Sequence, residues 1–213
     1  MHFLSEALEN YIQDNSENEP KVLQELTRET HLKVIQPRMI TGHFQGRVLS
    51  MLSKIIHPKY ILEIGTYTGY SAICLAEGLA NKGELHTIDV NEELVNIQRK
   101  YFDKSTQGNQ IIQHTGDALD IIPNLDISFD LIFIDAEKKM YDAYFEAVIQ
   151  KTKPGGIILS DNVLWSGKVV EPLDRKDRAT KVLLEYNQKL KEDPRIETVL
   201  LPIRDGLTLS RVL

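Results

Sequence analysis

The spacing of apolar residues changes once along the chain, close to His57-Pro58. Before that point apolar residues recur at intervals of three and four, which predicts amphipathic helices. These residues are Leu4, Ala7, Leu8 and Tyr11, then Val22, Leu23 and Leu26 after Pro20, then Phe44, Val48, Leu49 and Leu52. Thr41 is the predicted cap of the last of these helices.

After His57-Pro58, short apolar runs rich in β-branched residues alternate with amphipathic stretches of helical length. The predicted strands are 60–64, 84–89, 110–114, 131–135 and 157–161, and the predicted helices between them are 71–80, 92–102, 118–125 and 138–151. Such alternation predicts a Rossmann-like α/β fold, in which helices cover both faces of a parallel sheet.

The last 35 residues depart from this alternation. A predicted helix at 179–191 is followed by two β-rich runs, 196–201 and 207–212, on either side of Asp205-Gly206. An Asp-Gly pair between two such runs predicts an antiparallel hairpin at the end of the sheet. No repeat or linker divides the chain, so we interpret 1–57 as a helical N-terminal extension, a lid or an interface, of one domain whose main part is 58–213.

Composition excludes several classes of protein. The 213 residues carry a formal net charge of −6 and are 42% hydrophobic, as in an ordinary soluble domain. No apolar run reaches the roughly 18 residues of a membrane span, and Glu6, Glu9 and Asp14 contradict a secretory or transit signal. We therefore expect a cytoplasmic protein without membrane contact. Because Cys74 is the only cysteine, oxygen or imidazole ligands must hold any metal.

The loop after the first predicted strand carries two glycines, Gly65 and Gly69. It is not the dinucleotide fingerprint G-x-G-x-x-G, because Tyr67 stands where that motif needs its middle glycine. A bulky residue there disfavours a diphosphate and hence an NAD-dependent oxidoreductase. The preceding carboxylate, Glu63, suits a cationic ligand, and a sulfonium with an amino group fits.

Two further strand ends carry residues suited to a nucleoside. Asp89 ends the second strand and can accept hydrogen bonds from both ribose hydroxyls. Asp117-Ala118 follows the third strand and can bind an adenine edge. Both aspartates are equally plausible as helix N-caps.

Hard oxygen ligands end the fourth and fifth predicted strands. Asp135 ends one, and Asp161-Asn162 ends the other. Neighbouring strands lie about 4.8 Å apart, so these side chains can converge on one Mg²⁺, Mn²⁺ or Ca²⁺. In the alternative interpretation Asp135 caps the next helix and Asp161-Asn162 forms only a turn.

The run Leu62-Glu63-Ile64-Gly65-Thr66-Tyr67-Thr68-Gly69-Tyr70-Ser71, with Asp89 behind it, resembles the first motifs of class I S-adenosylmethionine-dependent methyltransferases. More closely, it is similar to the caffeoyl-CoA and catechol O-methyltransferase group. The resemblance extends from about Met39 to the final strand and includes Asp135 and Asp161-Asn162.

The resemblance implies a complete set of site residues. The implied cofactor site contains Met39, Glu63, Gly65, Tyr67, Ser71, Asp89, Asp117, Ala118 and Asp135, with Glu63 near the methionine end. The implied metal ligands are Asp135, Asp161 and Asn162, the catalytic lysine is Lys138, and Trp165 lies near the substrate. Spacing alone leaves Lys139 open as the base, and Trp165 is equally plausible as a core residue. Relatives of this kind are commonly homodimers.

The predicted function is a cation-dependent transfer of a methyl group to a catechol-like or hydroxycinnamoyl small molecule. The main alternative acceptor is a hydroxyuridine in tRNA, used by some bacterial relatives. The basic stretch 168–181, which includes Lys168, Arg175, Lys176, Arg178 and Lys181, is either a solvated face or a site for phosphates of a CoA thioester or of RNA. The overall acidity favours the small phenol. A non-catalytic module is disfavoured because Lys138 and the three metal ligands are intact.

Overall fold

Seven strands form one sheet in the computed structural model, which describes residues 5–174 and 176–213. The strands are β1 Tyr60–Ile64, β2 Glu84–Asp89, β3 Ile111–Thr115, β4 Phe129–Ile134, β5 Thr152–Asp161, β6 Ile196–Leu201 and β7 Leu207–Val212. Their order across the sheet is β3-β2-β1-β4-β5-β7-β6. The five neighbouring strands β3, β2, β1, β4 and β5 are parallel to one another, and β7 is antiparallel to both of its neighbours, β5 and β6. The predicted α/β fold with a terminal hairpin is confirmed.

Helices precede the sheet and connect its strands. They are α1 Glu6–Asp14, α2 Lys21–Lys33, α3 His43–Ile56, α4 Tyr70–Ala76, α5 Val95–Phe102, α6 Ala118–Ile121, α7 Tyr141–Ile149 and α8 Arg178–Glu192. None of these described helices is long and apolar enough to cross a membrane.

Local details differ from the sequence-based prediction. Three predicted helices contain a 3₁₀ turn, at Glu92–Leu94, Ile122–Asn124 and Lys138–Met140, so their α-helical parts are shorter than expected. Thr41 does not cap α3, because Gly42, with φ of 79°, occupies the N-cap position. Leu4 lies outside the described residues.

Two apolar clusters form the core, one on each face of the sheet. One contains side chains of α7 and α8, such as Phe145 and Leu183. The other contains α2, α3, α4 and α5, with Leu23 and Leu49 among its fully buried members. Helices α2 and α3 therefore share a core with the sheet, whereas α1 has no buried residue. Whether the N-terminal helices act as a lid or an interface stays a prediction.

The order of strands determines where a ligand can bind. The chain runs outward from β1 to β3, then crosses back to place β4 on the other side of β1. The loops that follow β1 and β4 diverge at such a switch point and leave a crevice beyond the carboxyl ends of the strands.

Candidate active site

A cleft of about 1760 Å³ lies at this edge of the sheet. Its wall includes eleven of the predicted site residues, namely Met39, Gly65, Tyr67, Ser71, Asp89, Ala118, Asp135, Lys138, Asp161, Asn162 and Trp165. The structure thus brings together residues separated by up to 126 positions in the chain. Glu63 and Asp117 are not among the residues that line the cleft.

The loop after β1 needs glycine at both of its glycine positions. Gly65 has φ of 102°, and a Cβ atom there would lie 1.9 Å from the carbonyl oxygen of Asp135. Gly69 has φ of 92°, and its Cβ would lie 2.5 Å from the ring of Phe102. Left-handed backbone and close contacts both require glycine here. The glycines therefore allow the loop to pack against the β4 loop and α5.

Asp89 organises this loop from the end of β2. Its Oδ2 accepts a hydrogen bond from the backbone N–H of Tyr67 at 2.7 Å, and its Oδ1 accepts one from Asn91 at 2.8 Å. The Tyr67 hydroxyl in turn donates to the carbonyl oxygen of Gln36 at 3.2 Å. Each carboxylate oxygen can accept a second hydrogen bond, so Asp89 can still bind vicinal hydroxyls.

Glu63 lies one layer beneath the cleft and not in its wall. It is completely buried. Its Oε2 accepts a hydrogen bond from the Thr87 hydroxyl at 2.5 Å, and its Oε1 has no hydrogen-bond partner among the described residues. Burial raises the pKa of Glu63 to about 8, because the charged form loses its hydration. Direct contact of Glu63 with a ligand, which the resemblance implies, stays a prediction.

Asp117 is an N-cap in the structure. Its Oδ1 accepts a hydrogen bond from the backbone N–H of Leu119 at 2.8 Å, at the start of α6. This is the structural alternative considered from the sequence. The next residue, Ala118, is buried and lines the cleft, so the segment reaches the site through Ala118.

The predicted metal ligands lie together at the ends of β4 and β5. Ile134 and Ser160 are in register, so the residues that follow them, Asp135 and Asp161, leave the sheet side by side. Asp161 is 2% exposed, and burial, together with the charge of Asp135, raises its pKa to about 7.

This donor set fits a divalent cation. Two carboxylates that repel each other, with an amide beside them, are the hard oxygen donors that Mg²⁺ and Mn²⁺ prefer, and a cation would offset their repulsion. Within 5–174 and 176–213 no cluster of three or more His, Cys, Asp or Glu side chains suits a metal ion. The candidate centre therefore depends on the amide of Asn162 as its third ligand.

The structure separates the two candidate lysines. Lys138 is buried and lines the cleft, whereas Lys139 is exposed outside it. The Lys138 ammonium donates to Asp135 Oδ1 at 2.9 Å and to the Tyr141 hydroxyl at 2.6 Å. Tyr141 donates in turn to the carbonyl oxygen of Asp161 at 2.9 Å. Lys138 is thus held between the two predicted metal ligands.

The chain was then compared with known proteins. The sequence pattern of a family described as O-methyltransferase matches residues 13–213. The chain belongs to this family. It is 36% identical to a caffeoyl-CoA O-methyltransferase of Petroselinum crispum over 220 residues, which cover 97% of this chain and 91% of that protein.

Solved structures of O-methyltransferases share its fold. One from Bacillus cereus, in complex with SAH, is 29% identical with a TM-score of 0.90 and 97% coverage of both chains. One from Streptomyces achromogenes, involved in tomaymycin synthesis and in complex with SAM, is 27% identical with a TM-score of 0.89, covering 97% of this chain and 96% of that one. The resemblance stated from the sequence is confirmed, and the NAD-dependent oxidoreductase is set aside.

Trp165 combines both interpretations considered for it. In this O-methyltransferase family member the indole lines the cleft and also packs against the apolar cluster of α7 and α8. The backbone of Trp165 has φ of 48°, in the left-handed region, which turns the chain sharply after the predicted metal ligands. Trp165 therefore reaches both the cleft and the apolar cluster.

Two of the basic residues in the stretch 168–181 form ion pairs. Lys168 forms an ion pair with Asp177 at 3.0 Å, and Lys181 lies 3.7 Å from Glu185. Arg175 lies outside the described residues. These pairs neutralise part of the positive charge, which favours a solvated face.

Sequence reasoning did not identify three side chains of the site in this family member. Tyr141 contacts Lys138, Gln45 contacts Asp161, and Arg204 contacts Gln45. The spacing of three residues between Lys138 and Tyr141 on a helical turn was an available signal. Neither Gln45, one of several polar residues in its predicted helix, nor Arg204 carried a signal in the sequence.

Proposed function

We propose that this O-methyltransferase transfers the methyl group of S-adenosylmethionine to a phenolic hydroxyl of a catechol-like or hydroxycinnamoyl small molecule, with the help of a divalent cation. The observation that supports this most strongly is the composition of one cleft. One end of the cleft contains the glycine loop after β1 and the carboxylate of Asp89, which suit a nucleoside. The other end contains two carboxylates, an amide and a buried lysine.

The cofactor end comprises Gly65, Tyr67, Ser71 and Asp89, with Met39 and Ala118 on either side of them. Asp89 would accept hydrogen bonds from the ribose hydroxyls. Glu63, beneath these residues, would interact electrostatically with the cofactor, because a nearby sulfonium and ammonium favour the ionised form of its carboxyl group. The SAM and SAH complexes of the structural relatives support this assignment.

At the other end Asp135, Asp161 and Asn162 would hold the cation. When bound, such an ion lowers the pKa of a phenol, ordinarily near 10, much as it lowers that of water, and it orients vicinal oxygens.

Lys138 is the residue placed to accept the phenolic proton. Its Nζ must be a neutral amine when the acceptor binds, and it becomes an ammonium as the phenol becomes a phenolate. Asp135 and the Tyr141 hydroxyl hold Nζ from two sides, so its position is determined before the acceptor arrives. The methyl group then passes from sulfur to oxygen, so that the S–C bond breaks as the O–C bond forms. Holding donor and acceptor in line supplies much of the rate enhancement in such a displacement.

The small phenol is the favoured acceptor. The relative from Petroselinum crispum is named for caffeoyl-CoA, and Trp165 offers an aromatic wall next to the predicted metal ligands. The hydroxyuridine of tRNA is less supported, because ion pairs neutralise part of the basic stretch. The homodimer and the cytoplasmic location stay predictions from the sequence.

A methyl-transfer assay with catechol, caffeoyl-CoA and tRNA tests the proposal. We expect methylation of the phenols, loss of turnover on addition of EDTA, and recovery with Mg²⁺ or Mn²⁺. Asp161→Ala should reduce metal-stimulated turnover by about 10²–10³-fold, the range for loss of one electrostatic stabiliser, without weakening the binding of S-adenosylmethionine.

Asp142→Ala is the matched control, since Asp142 is an exposed carboxylate that pairs with Lys189 and is not among the residues that line the cleft. Turnover that ignores EDTA would refute the cation dependence. Activity on tRNA alone would refute the phenolic acceptor.

A further inference from the structure

A buried glutamine contacts the candidate metal centre from the N-terminal part of the chain. Gln45 lies in the first turn of α3 and is completely buried. Its amide Nε2 donates a hydrogen bond to Asp161 Oδ2 at 2.6 Å. Asp161 Oδ1 accepts a second one, at 2.7 Å, from the backbone N–H of Asn162. The plane of the Asp161 carboxylate is thus determined by two donors, one of them 116 residues away.

Arg204 determines which way the Gln45 amide points. Arg204 lies in the loop between β6 and β7, and its Nη1 donates to Gln45 Oε1 at 3.1 Å and to the carbonyl oxygen of Thr41. A guanidinium can only donate, so it must face the amide oxygen and leave the amide NH₂ towards Asp161. The flipped amide would place NH₂ against the guanidinium and Oε1 against a carboxylate oxygen.

The same loop also holds the segment after the candidate ligands. The carbonyl oxygen of Asp205 accepts from the backbone N–H of Leu164 at 2.8 Å, and Asp205 Oδ1 accepts from that of Ser166 at 2.5 Å. One hairpin loop therefore contacts α3 on one side and the segment that contains Leu164 and Ser166 on the other.

We infer that Gln45 is a positioning residue for the divalent cation, orienting Asp161 through an amide that Arg204 holds in place. A neutral donor suits this task, because it orients the carboxylate without cancelling the charge that attracts the cation. A lysine or arginine in its place would compete with the ion. Groups that orient a metal ligand typically contribute 10–100-fold to metal affinity. The inference rests on the proposed function, since it requires a cation at Asp161.

Calorimetric titration of the full-length protein with Mn²⁺ tests the inference without measuring activity. Gln45→Leu should weaken Mn²⁺ binding by about 10–100-fold. Arg204→Leu should weaken it less, because the amide is still present. In the Gln45→Leu background Arg204→Leu should have no further effect on Mn²⁺ affinity, since residues that act through one another are not additive.

Ser53→Ala is the matched control. Ser53 also lies on α3, is completely buried, and donates a hydrogen bond to the carbonyl oxygen of Leu75 at 2.6 Å, away from the cleft. Its loss should lower the melting temperature and leave Mn²⁺ affinity unchanged. A purely structural role of Gln45 predicts the same result for Gln45→Leu.

The outcomes separate the inference from the proposed function. If Asp161→Ala abolishes Mn²⁺ binding while Gln45→Leu binds as tightly as the wild type, the inference is wrong and the function stands. If the wild-type protein binds no Mn²⁺, the proposed cation dependence itself fails. Should Gln45→Leu not fold, Arg204→Leu decides, because unchanged affinity in that variant overturns the role of the pair. Additive effects in the double variant would also overturn it.

Discussion

Two buried carboxyl groups lie at opposite ends of the cleft, and they differ in what surrounds them. Glu63, beneath the cofactor end, contacts the neutral hydroxyl of Thr87 and forms no ion pair. Asp161, at the cation end, has the Lys138 ammonium nearby and accepts hydrogen bonds from Gln45 and Asn162. Burial raises the pKa of both, Glu63 to about 8 and Asp161 to about 7.

The difference shows two ways in which a fold accommodates a buried acid. Glu63 avoids the cost of burial by keeping its proton at neutral pH. For Asp161, Lys138 and two hydrogen-bond donors favour the charged form, whereas burial and the charge of Asp135 oppose it. Glu63 is therefore neutral until a cationic ligand arrives, whereas the Asp161 carboxyl is already held in a defined orientation.

The largest expected effect sharpens this comparison at the cation end. Lys138→Ala should reduce turnover by about 10²–10⁴-fold, the usual contribution of a general base, while the affinity for S-adenosylmethionine is unchanged. Single-turnover methyl transfer and calorimetry measure the two quantities. Lys139→Ala is the control, because Lys139 is exposed outside the cleft. A larger loss in Lys139→Ala would reassign the base.

A smaller effect is expected from Glu63→Gln, and it depends on pH. The folded-state pKa of about 8 exceeds the ordinary 4.5, so the native state binds the extra proton between these values. The contribution of Glu63 to stability is therefore fully present below about pH 4.5 and is lost as the pH rises to about 8. At pH 8.5 the free energy of unfolding of Glu63→Gln should exceed that of the wild type by at most about a few kcal/mol. At pH 4.5 the variant should lose this advantage.

Thermal unfolding at the two pH values measures this difference. Glu146→Gln is a control of opposite sign, because hydrogen bonds from Arg195 and Lys189 lower the pKa of Glu146 to about 2. Its contribution is present above about pH 4.5 and is lost in acid. Equal melting temperatures of Glu63→Gln and wild type at pH 8.5 would show that the fold does not raise the pKa of Glu63.

The smallest effect concerns the cofactor end. Asp89→Asn should weaken the binding of S-adenosylmethionine by about 10–100-fold, since one hydrogen bond to a charged group contributes roughly 1.5–3 kcal/mol. Turnover at saturating cofactor should change little. Calorimetry checks the affinity, and Asp103→Asn, an exposed aspartate paired with Arg99, is the control. Unchanged affinity in Asp89→Asn would remove Asp89 from the proposed site.

The cofactor end could be predicted from the sequence because it is local. Gly65, Tyr67 and Ser71 belong to one turn between β1 and α4, and Asp89 ends the next strand. Turn chemistry and the alternation of strands and helices, which neighbouring residues determine, indicate where these residues lie, and the family resemblance implies their roles. Even at this end, the sequence did not predict that Glu63 is buried beneath the cleft and did not decide whether Asp117 caps α6, because both depend on how the elements pack.

The cation end was predictable only in part. The strand ends indicated Asp135, Asp161 and Asn162, but nothing in the spacing separated Lys138 from Lys139. Gln45 and Arg204 became visible only in the structure, since their contacts join residues 116 and 159 positions apart. Periodicity and turn chemistry act over a few residues and so determined the elements, their order and the family. Which side chains meet across α3, β5 and the β6–β7 loop depends on helix packing and strand register, which form only when the whole chain is folded.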